Sequence, residues 1–176
     1  MHAQHVVWPN LTLYAEASET FRFPNPRKLH RYWNSKRGDR PRPKWRDLNL
    51  MEVYDIAPFT CVRDVIPGQD DLICRYWGTH LTELYGVDCT GKTIFSTYPA
   101  ASAQDTLDIY RRTLASDLPI RLVGNLGYVG RSEFNFFEAA FLRLDGDDGP
   151  DRHVIGCFQF NCVLAGEDIR KLSLKD

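Results

Sequence analysis

Apolar residues run through five strand-like segments of this chain and recur at helical spacing in three others. Phe59–Ile66 and Leu72–Trp77 read as strands, rich in β-branched and aromatic residues and closed by Pro67-Gly68 and Gly78-Thr79. Ile120–Val129, Phe134–Leu144 and His153–Val163 read as an antiparallel meander with turns at Gly130-Arg131-Ser132 and Asp145–Pro150. In the last two strands Phe136, Ala140 and Leu142 face one way and Phe137, Ala139 and Phe141 the other. Likewise Val154, Phe158 and Phe160 oppose Ile155, Cys157 and Val163. A strand apolar on both sides needs cover on both sides.

The helices to supply that cover are marked by caps and stripes. Between the second and third strands a helix is expected from His80, with Thr79 as N-cap, Leu81, Leu84 and Tyr85 on one face and Gly86 as a left-handed C-cap. The stretch to Pro99 reads as irregular with one short turn. Ser102 then opens the longest internal helix in a capping box with Asp105, carrying Leu107, Tyr110 and Leu114 until Asp117 and Pro119 end it. Upstream, an amphipathic leader helix is predicted from Pro26 to Arg37, capped by Asn25 and followed by Gly38, with Leu29, Tyr32 and Trp33 as its apolar face. Prolines 41 and 43 make residues 39–47 an extended connector.

The predicted fold is α+β: a five-stranded antiparallel sheet with helices inserted between strands 2 and 3, plus the N-terminal amphipathic helix. The organisation is an arm over residues 1–24, a leader helix and Pro-marked connector over 25–47, a domain over 48–165 and a tail over 166–176. Trp8, Leu11, Leu13 and Phe21 show no clear period, so the arm reads either as an extra strand or as a partner-dependent segment. The tail reads as a short helix or a frayed end.

One block is more specific. Asp71 to Gly91, DLICRYWGTHLTELYGVDCTG, is a strand ending in Gly78-Thr79, then Leu84-Tyr85-Gly86, then Asp88, Thr90 and Gly91. This run resembles the small stand-alone PAS-like domains common in alphaproteobacteria. Tyr32-Trp33 followed by Pro41-Arg42-Pro43 and Asp47-Leu48 is similar to that family's leader, and Phe134–Leu144 with Asp151–Gly156 to its last two strands. The likeness spans Asn25 to Val163. It implies a module that holds a small ligand, or merely a packed core, between sheet and helices and passes a change through its flanking helices. Flavin-adduct members carry a reactive Cys three residues after the Gly matching Gly91, where this chain has Ile94, and Cys89 is out of register. Haem-binding members take a proximal His from the long helix, whereas Ala100–Ser116 contains none. Neither cofactor is expected, and the cofactor is left unknown.

Composition narrows the picture further. The 176 residues, 43% hydrophobic and 12% aromatic, suit one cored domain with appendages. No stretch reaches the roughly 18–20 apolar residues of a membrane helix, and Met1–Asn10 lacks a signal-peptide run, so no membrane association and a cytoplasmic location are expected. Cys61, Cys74, Cys89, Cys157 and Cys162 are odd in number and without a CxxC pair, which predicts reduced core thiols and no metal site. Asp145, Asp147, Asp148 and Asp151 hint at calcium, but Gly156 stands where the loop's bidentate Glu belongs. GxSxG is absent, the glycines at 124, 127 and 130 do not open a helix, and His80 and His153 lack an activating context, so no catalytic residue and no enzyme is expected.

Charge is uneven. Nine basic residues stand between Arg27 and Arg46 against Asp39 alone, leaving 13 basic residues against 22 acids, a net of −9, for the rest of the chain. Docking on an acidic surface or plain solvation is favoured over nucleic-acid binding, because Leu29, Tyr32 and Trp33 make a narrow apolar face among those charges. That face is expected to cover the sheet from a second copy, giving a homodimer with Leu29, Tyr32 and Trp33 as dimerisation residues. Folding back in cis is the alternative. Trp77, Tyr98, Tyr110, Phe137 and Gln159 are the expected ligand contacts, for an uncharged or weakly polar molecule, set against a simply filled core. With no output domain among these residues, the module is expected to act through an unidentified signalling partner. A pure interaction module and a nucleic-acid-binding regulator are the alternatives.

Overall fold

The computed structural model describes residues 10–127, 134–149 and 151–173. Its strands are β1 (Asn10–Ala17), β2 (Thr60–Val65), β3 (Leu72–Trp77), β4 (Ile120–Gly127), β5 (Phe134–Asp145) and β6 (Arg152–Gln159). They form one antiparallel sheet in the order β1-β4-β5-β6-β2-β3. The helices are α1 (Pro24–Arg37), α2 (Thr79–Tyr85), α3 (Ile94–Thr97), α4 (Ala100–Ala115) and α5 (Gly166–Ser173), with α2 to α4 inserted between β3 and β4.

The sheet therefore has six strands where five were expected. β1 comes from the arm and pairs along the whole of β4, with Leu13 opposite Gly124 and Ala17 opposite Ile120. A β4 without that neighbour would present a row of unpaired backbone groups, and β1 satisfies them.

Both faces of the sheet are buried, each by a different set of helices. On one, Ala103, Leu107, Tyr110 and Leu114 of α4 pack with Phe137, Phe141, Val154 and Phe158. On the other, Leu29 and Trp33 of α1, with Val53 and Ile56 from short 3-10 turns, pack on Leu142, Leu144, Ile155 and Cys157. Trp33 is 5% exposed and its Nε1 donates to Arg143 O at 2.9 Å, which fixes the helix on β5. Burying Leu29 and Trp33 contributes about 1.5–3 kcal/mol each. The leader thus lies on its own chain's sheet, and the argument for a homodimer from an uncovered face no longer applies.

Several boundaries differ from expectation for local reasons. Thr79 is the first residue of α2, after Gly78 as N-cap. Helix α4 starts at Ala100 after Pro99, so Ser102 and Asp105 lie inside it and cap nothing. Asn25 is inside α1, where its side-chain amide donates to Phe158 O. β6 stops at Gln159, and Val163 beyond it is 90% exposed instead of sharing a face with Ile155. The turn expected at Gly130-Arg131-Ser132 lies outside the described residues. Gly86 does take the left-handed C-cap conformation, with φ 72°.

Four of the nine basic side chains of the leader and connector are paired with acids of the same chain. Lys28 pairs with Asp55 at 2.6 Å, Lys36 with Glu52 at 2.7 Å, Arg40 with Asp47 at 2.7 Å and Arg42 with Asp145 at 3.0 Å. Asp147, once a calcium candidate, accepts from Arg46 N, so these acids anchor the connector.

Candidate functional site

Strand alternation places Leu13 of β1, Cys61 of β2, Leu122 of β4, Phe137 and Phe141 of β5 and Phe158 of β6 on the α4 side of the sheet. Together with Trp77, Tyr85, Tyr98 and Tyr110 they line a pocket of about 40 Å³. One water needs roughly 10–15 Å³. Leu13, Tyr98, Thr106 and Ile109 are the half-buried members and mark its rim, between β1 and α4. The interior is aromatic: Phe137 lies 5.7 Å from Phe158, and Tyr110 meets Phe141 edge-on at 5.4 Å.

Arg63 gives this region its chemistry. A register shift between Val62 and Arg63 leaves Arg75 as an extra residue in β3, so Val62 faces Tyr76 while Arg63 faces Cys74. Cys61 and Arg63 therefore share the α4 side of β2. Arg63 is 0% exposed, and its Nε, Nη1 and Nη2 have no hydrogen-bond partner. Among the described residues no carboxylate pairs with it.

Three aromatic rings of the pocket wall surround the charge instead. The guanidinium carbon lies 5.7 Å from the Trp77 ring centroid, 5.8 Å from Tyr98 and 5.7 Å from Tyr110. A desolvated cation–π contact is worth about 2 kcal/mol, so three are of the same order as the several kcal/mol that burying an unpaired ion costs. The charge can be held there, but the rings do not replace acceptors for the N–H groups. The Tyr98 hydroxyl approaches the guanidinium closely enough to interact with it, but as a long contact and not as a well-formed hydrogen bond. Trp77 Nε1, also donor-only, is buried without a partner.

Burial pushes the neighbouring acids up. Tyr110 stands well above the ordinary phenol value, and the Cys61 thiol, 3.5 Å from the Tyr110 hydroxyl, is raised as well. Cys74 is pushed up to about 12 and Cys89 to about 11 by burial. These thiols stay protonated near neutral pH, which denies them a nucleophile's role. His80 packs on Phe59 with ring centroids 4.6 Å apart, and His153 Nδ1 lies 2.7 Å from Asp64 on the opposite face of the sheet from Arg63.

Of the five contacts expected from sequence, Trp77, Tyr98, Tyr110 and Phe137 converge on the pocket and Gln159 does not. Gln159 follows Phe158 on the strand, so its side chain points to the leader-helix side, where Oε1 accepts from Asn25 N at 3.2 Å. Arg63 was missed, although its spacing of two from Cys61 on a predicted strand was the available signal.

A family model described as a PAS domain matches residues 22–159. The chain belongs to the PAS domain family. Among curated proteins none matches it. PAS domains are generally sensory, non-catalytic modules, and the pocket of this one lies between its sheet and the inserted helices. Among the described residues no helix is long and apolar enough to cross a membrane.

Proposed function

We propose that this PAS domain is a regulatory sensor without catalytic activity of its own, which takes up a small molecule between α4 and the sheet and passes its occupancy to a partner protein. The observation that carries this reading is the aromatic pocket beside four buried nitrogens, three on Arg63 and one on Trp77, that have no well-formed hydrogen bond to an acceptor among the described residues. A core selected for stability alone gains nothing from such groups. Five free, buried thiols suit a reducing compartment such as the cytoplasm.

The sheet supplies a route for output. Leu122 and Phe137 face the pocket, while the adjoining Arg121 and Glu138 face the other side and are bonded to each other at 2.7 Å. Glu138 also accepts from the backbone nitrogens of Arg22 and Phe23 at the start of α1, and Arg121 grips Asp168 of α5. A shift of β4 or β5 on ligand uptake is thereby felt at both flanking helices, the surfaces offered to a partner.

Native mass spectrometry of protein purified from its own host tests the reading. A bound small molecule that raises the melting temperature when added back to stripped protein is the expected result. Bare chain mass, together with no thermal shift across a metabolite library, would remove the sensing role. The nucleic-acid alternative gains no support, since four of the leader's basic side chains are already paired with the chain's own acids.

A further inference from the structure

We infer that the ligand is a small monoanion, a carboxylate on an apolar or aromatic body, whose charge is balanced by Arg63. The inference rests on the sensory reading above and specifies its chemistry. Among the described residues every unmet polar group next to the pocket is a donor: the three guanidinium nitrogens of Arg63 and the indole nitrogen of Trp77. A ligand that satisfies them must bring acceptors. Because an arginine cannot shed its proton, the acceptor that also cancels the charge is an anion. The planar guanidinium matches a carboxylate through two parallel hydrogen bonds.

One cation without a carboxylate partner balances one negative charge, so a dicarboxylate or phosphate dianion would bring an uncompensated charge into the same aromatic surroundings. Most of the remaining wall, Phe137, Phe141, Phe158, Leu122 and Ile109, is hydrocarbon, and its space of about 40 Å³ must widen, by movement of the Tyr98 rim, to take a ring or branched chain. Arg63 stands among three wall rings and not on the open wall itself. The carboxylate reaches it by displacing Tyr98, which is half-buried on the short link between α3 and α4 and belongs to the rim. That displacement gives the helical layer two positions, one with the phenol over the cation and one with the ligand there.

The test measures binding of phenylacetate and isovalerate by calorimetry to the full chain, each beside its primary amide, with succinate as the dianion. Native mass spectrometry and acid extraction of host-purified protein accompany it. The acids are expected to bind roughly ten- to a hundredfold more tightly than their amides and succinate. Arg63→Met, a volume-conserving removal of an unpaired buried charge, is expected to fold and to lose that preference. Trp77→Phe should weaken acid binding while leaving it stronger than amide binding.

If amides bind as well as acids, if Arg63→Met keeps the preference, or if the extracted ligand carries no acid group, the anion assignment is overturned and the sensory reading stands. If no probe binds and the host-purified protein has the mass of the bare chain, both fall. A monocarboxylic acid recovered from the host protein supports the assignment even where the chosen probes bind weakly.

Discussion

Arg121 holds Asp168 with both terminal nitrogens, Nη1 to Oδ1 at 3.1 Å and Nη2 to Oδ2 at 2.9 Å, and the carboxylate is fully buried. The same guanidinium donates to Glu138 at 2.7 Å and to Glu16 at 3.1 Å. One cation with an acceptor at each of its three nitrogens thus ties β1, β4, β5 and α5 together, opposite an Arg63 that has no carboxylate partner among the described residues. Asp168→Asn leaves the shape and removes the charge, so Arg121 and Glu138 keep a broken network in a dry site. The expected loss is about 1.5–3 kcal/mol of unfolding free energy, the value of hydrogen bonding to a charged group, because Glu138 and Glu16 still balance Arg121; it is read by urea denaturation. A loss near that of a surface pair, about 0–1 kcal/mol, would show that water screens the contact.

The same network sets a pH dependence. Arg121 holds the Asp168 carboxyl below its usual range. For Glu16 and Asp64 burial acts in the opposite direction and is outweighed, by Lys171 and Arg121 in the first case and by His153 and Arg75 in the second, so both are lowered. A carboxyl with a depressed folded pKa binds fewer protons folded than unfolded. Its stabilisation is fully present above the unfolded value, about 3.9–4.3, and is lost as the pH falls through the folded one. The melting temperature should therefore drop as buffers are taken from about pH 5 toward pH 2. A profile flat through that window would show that these carboxylates are not selectively stabilised in the fold.

Trp33→Ala removes an indole packed on β5 and β6 and its bond to Arg143 O. The expected cost is about 3–5 kcal/mol, seen in denaturant melts, with the sedimentation coefficient at native concentration unchanged. Loss of a dimer without loss of stability would instead place this residue between two copies.

The two-sided burial of the sheet was legible in the sequence because a strand's period is two, so Phe137 and Phe141 part from Leu142 and Leu144 without further information. The aromatic wall followed from the same parity, and parity applied once more would have removed Gln159. β1 was legible in part: Leu11, Leu13 and Ala15 alternate with Thr12, Tyr14 and Glu16, but over too few residues to stand out beside an aromatic-rich start. The bulge at Arg75 was not legible, since nothing in Cys74-Arg75-Tyr76 marks an extra residue. Arg63 stayed hidden because a charged strand residue ordinarily faces water. Its burial comes from the aromatic residues of β3 and the helical insert, which meet it only in the folded chain.

All five cysteines are buried, and burial raises every thiol: Cys157 to about 12, Cys162 to about 11, and the three near Arg63 as described. With so little thiolate available at pH 8, the folded protein should react with a disulfide reagent far more slowly than the unfolded chain, which should release five equivalents. Fast labelling of one thiol in the native state would locate a region that opens locally.

Gly124 is the position where the sheet and the pocket constrain each other most closely. It faces Leu13 across β1 and Phe137 across β5, and a Cβ there would lie 2.4 Å from the Phe137 Cζ and 2.8 Å from a Leu13 methyl. The absent side chain lets the Phe137 ring approach the strand closely and form part of the pocket wall. Gly124→Ala must push that ring toward Phe158, 5.7 Å away, or displace β1. An overpacked core position of this kind costs about 1–3 kcal/mol. Because the ring moves into the pocket, ligand affinity should fall along with the melting temperature. The double variant Gly124→Ala with Phe137→Leu should recover stability by making room for the methyl group. Failure of the second change to restore stability would place the strain on β1 instead, where Leu13 is the other neighbour of the new methyl.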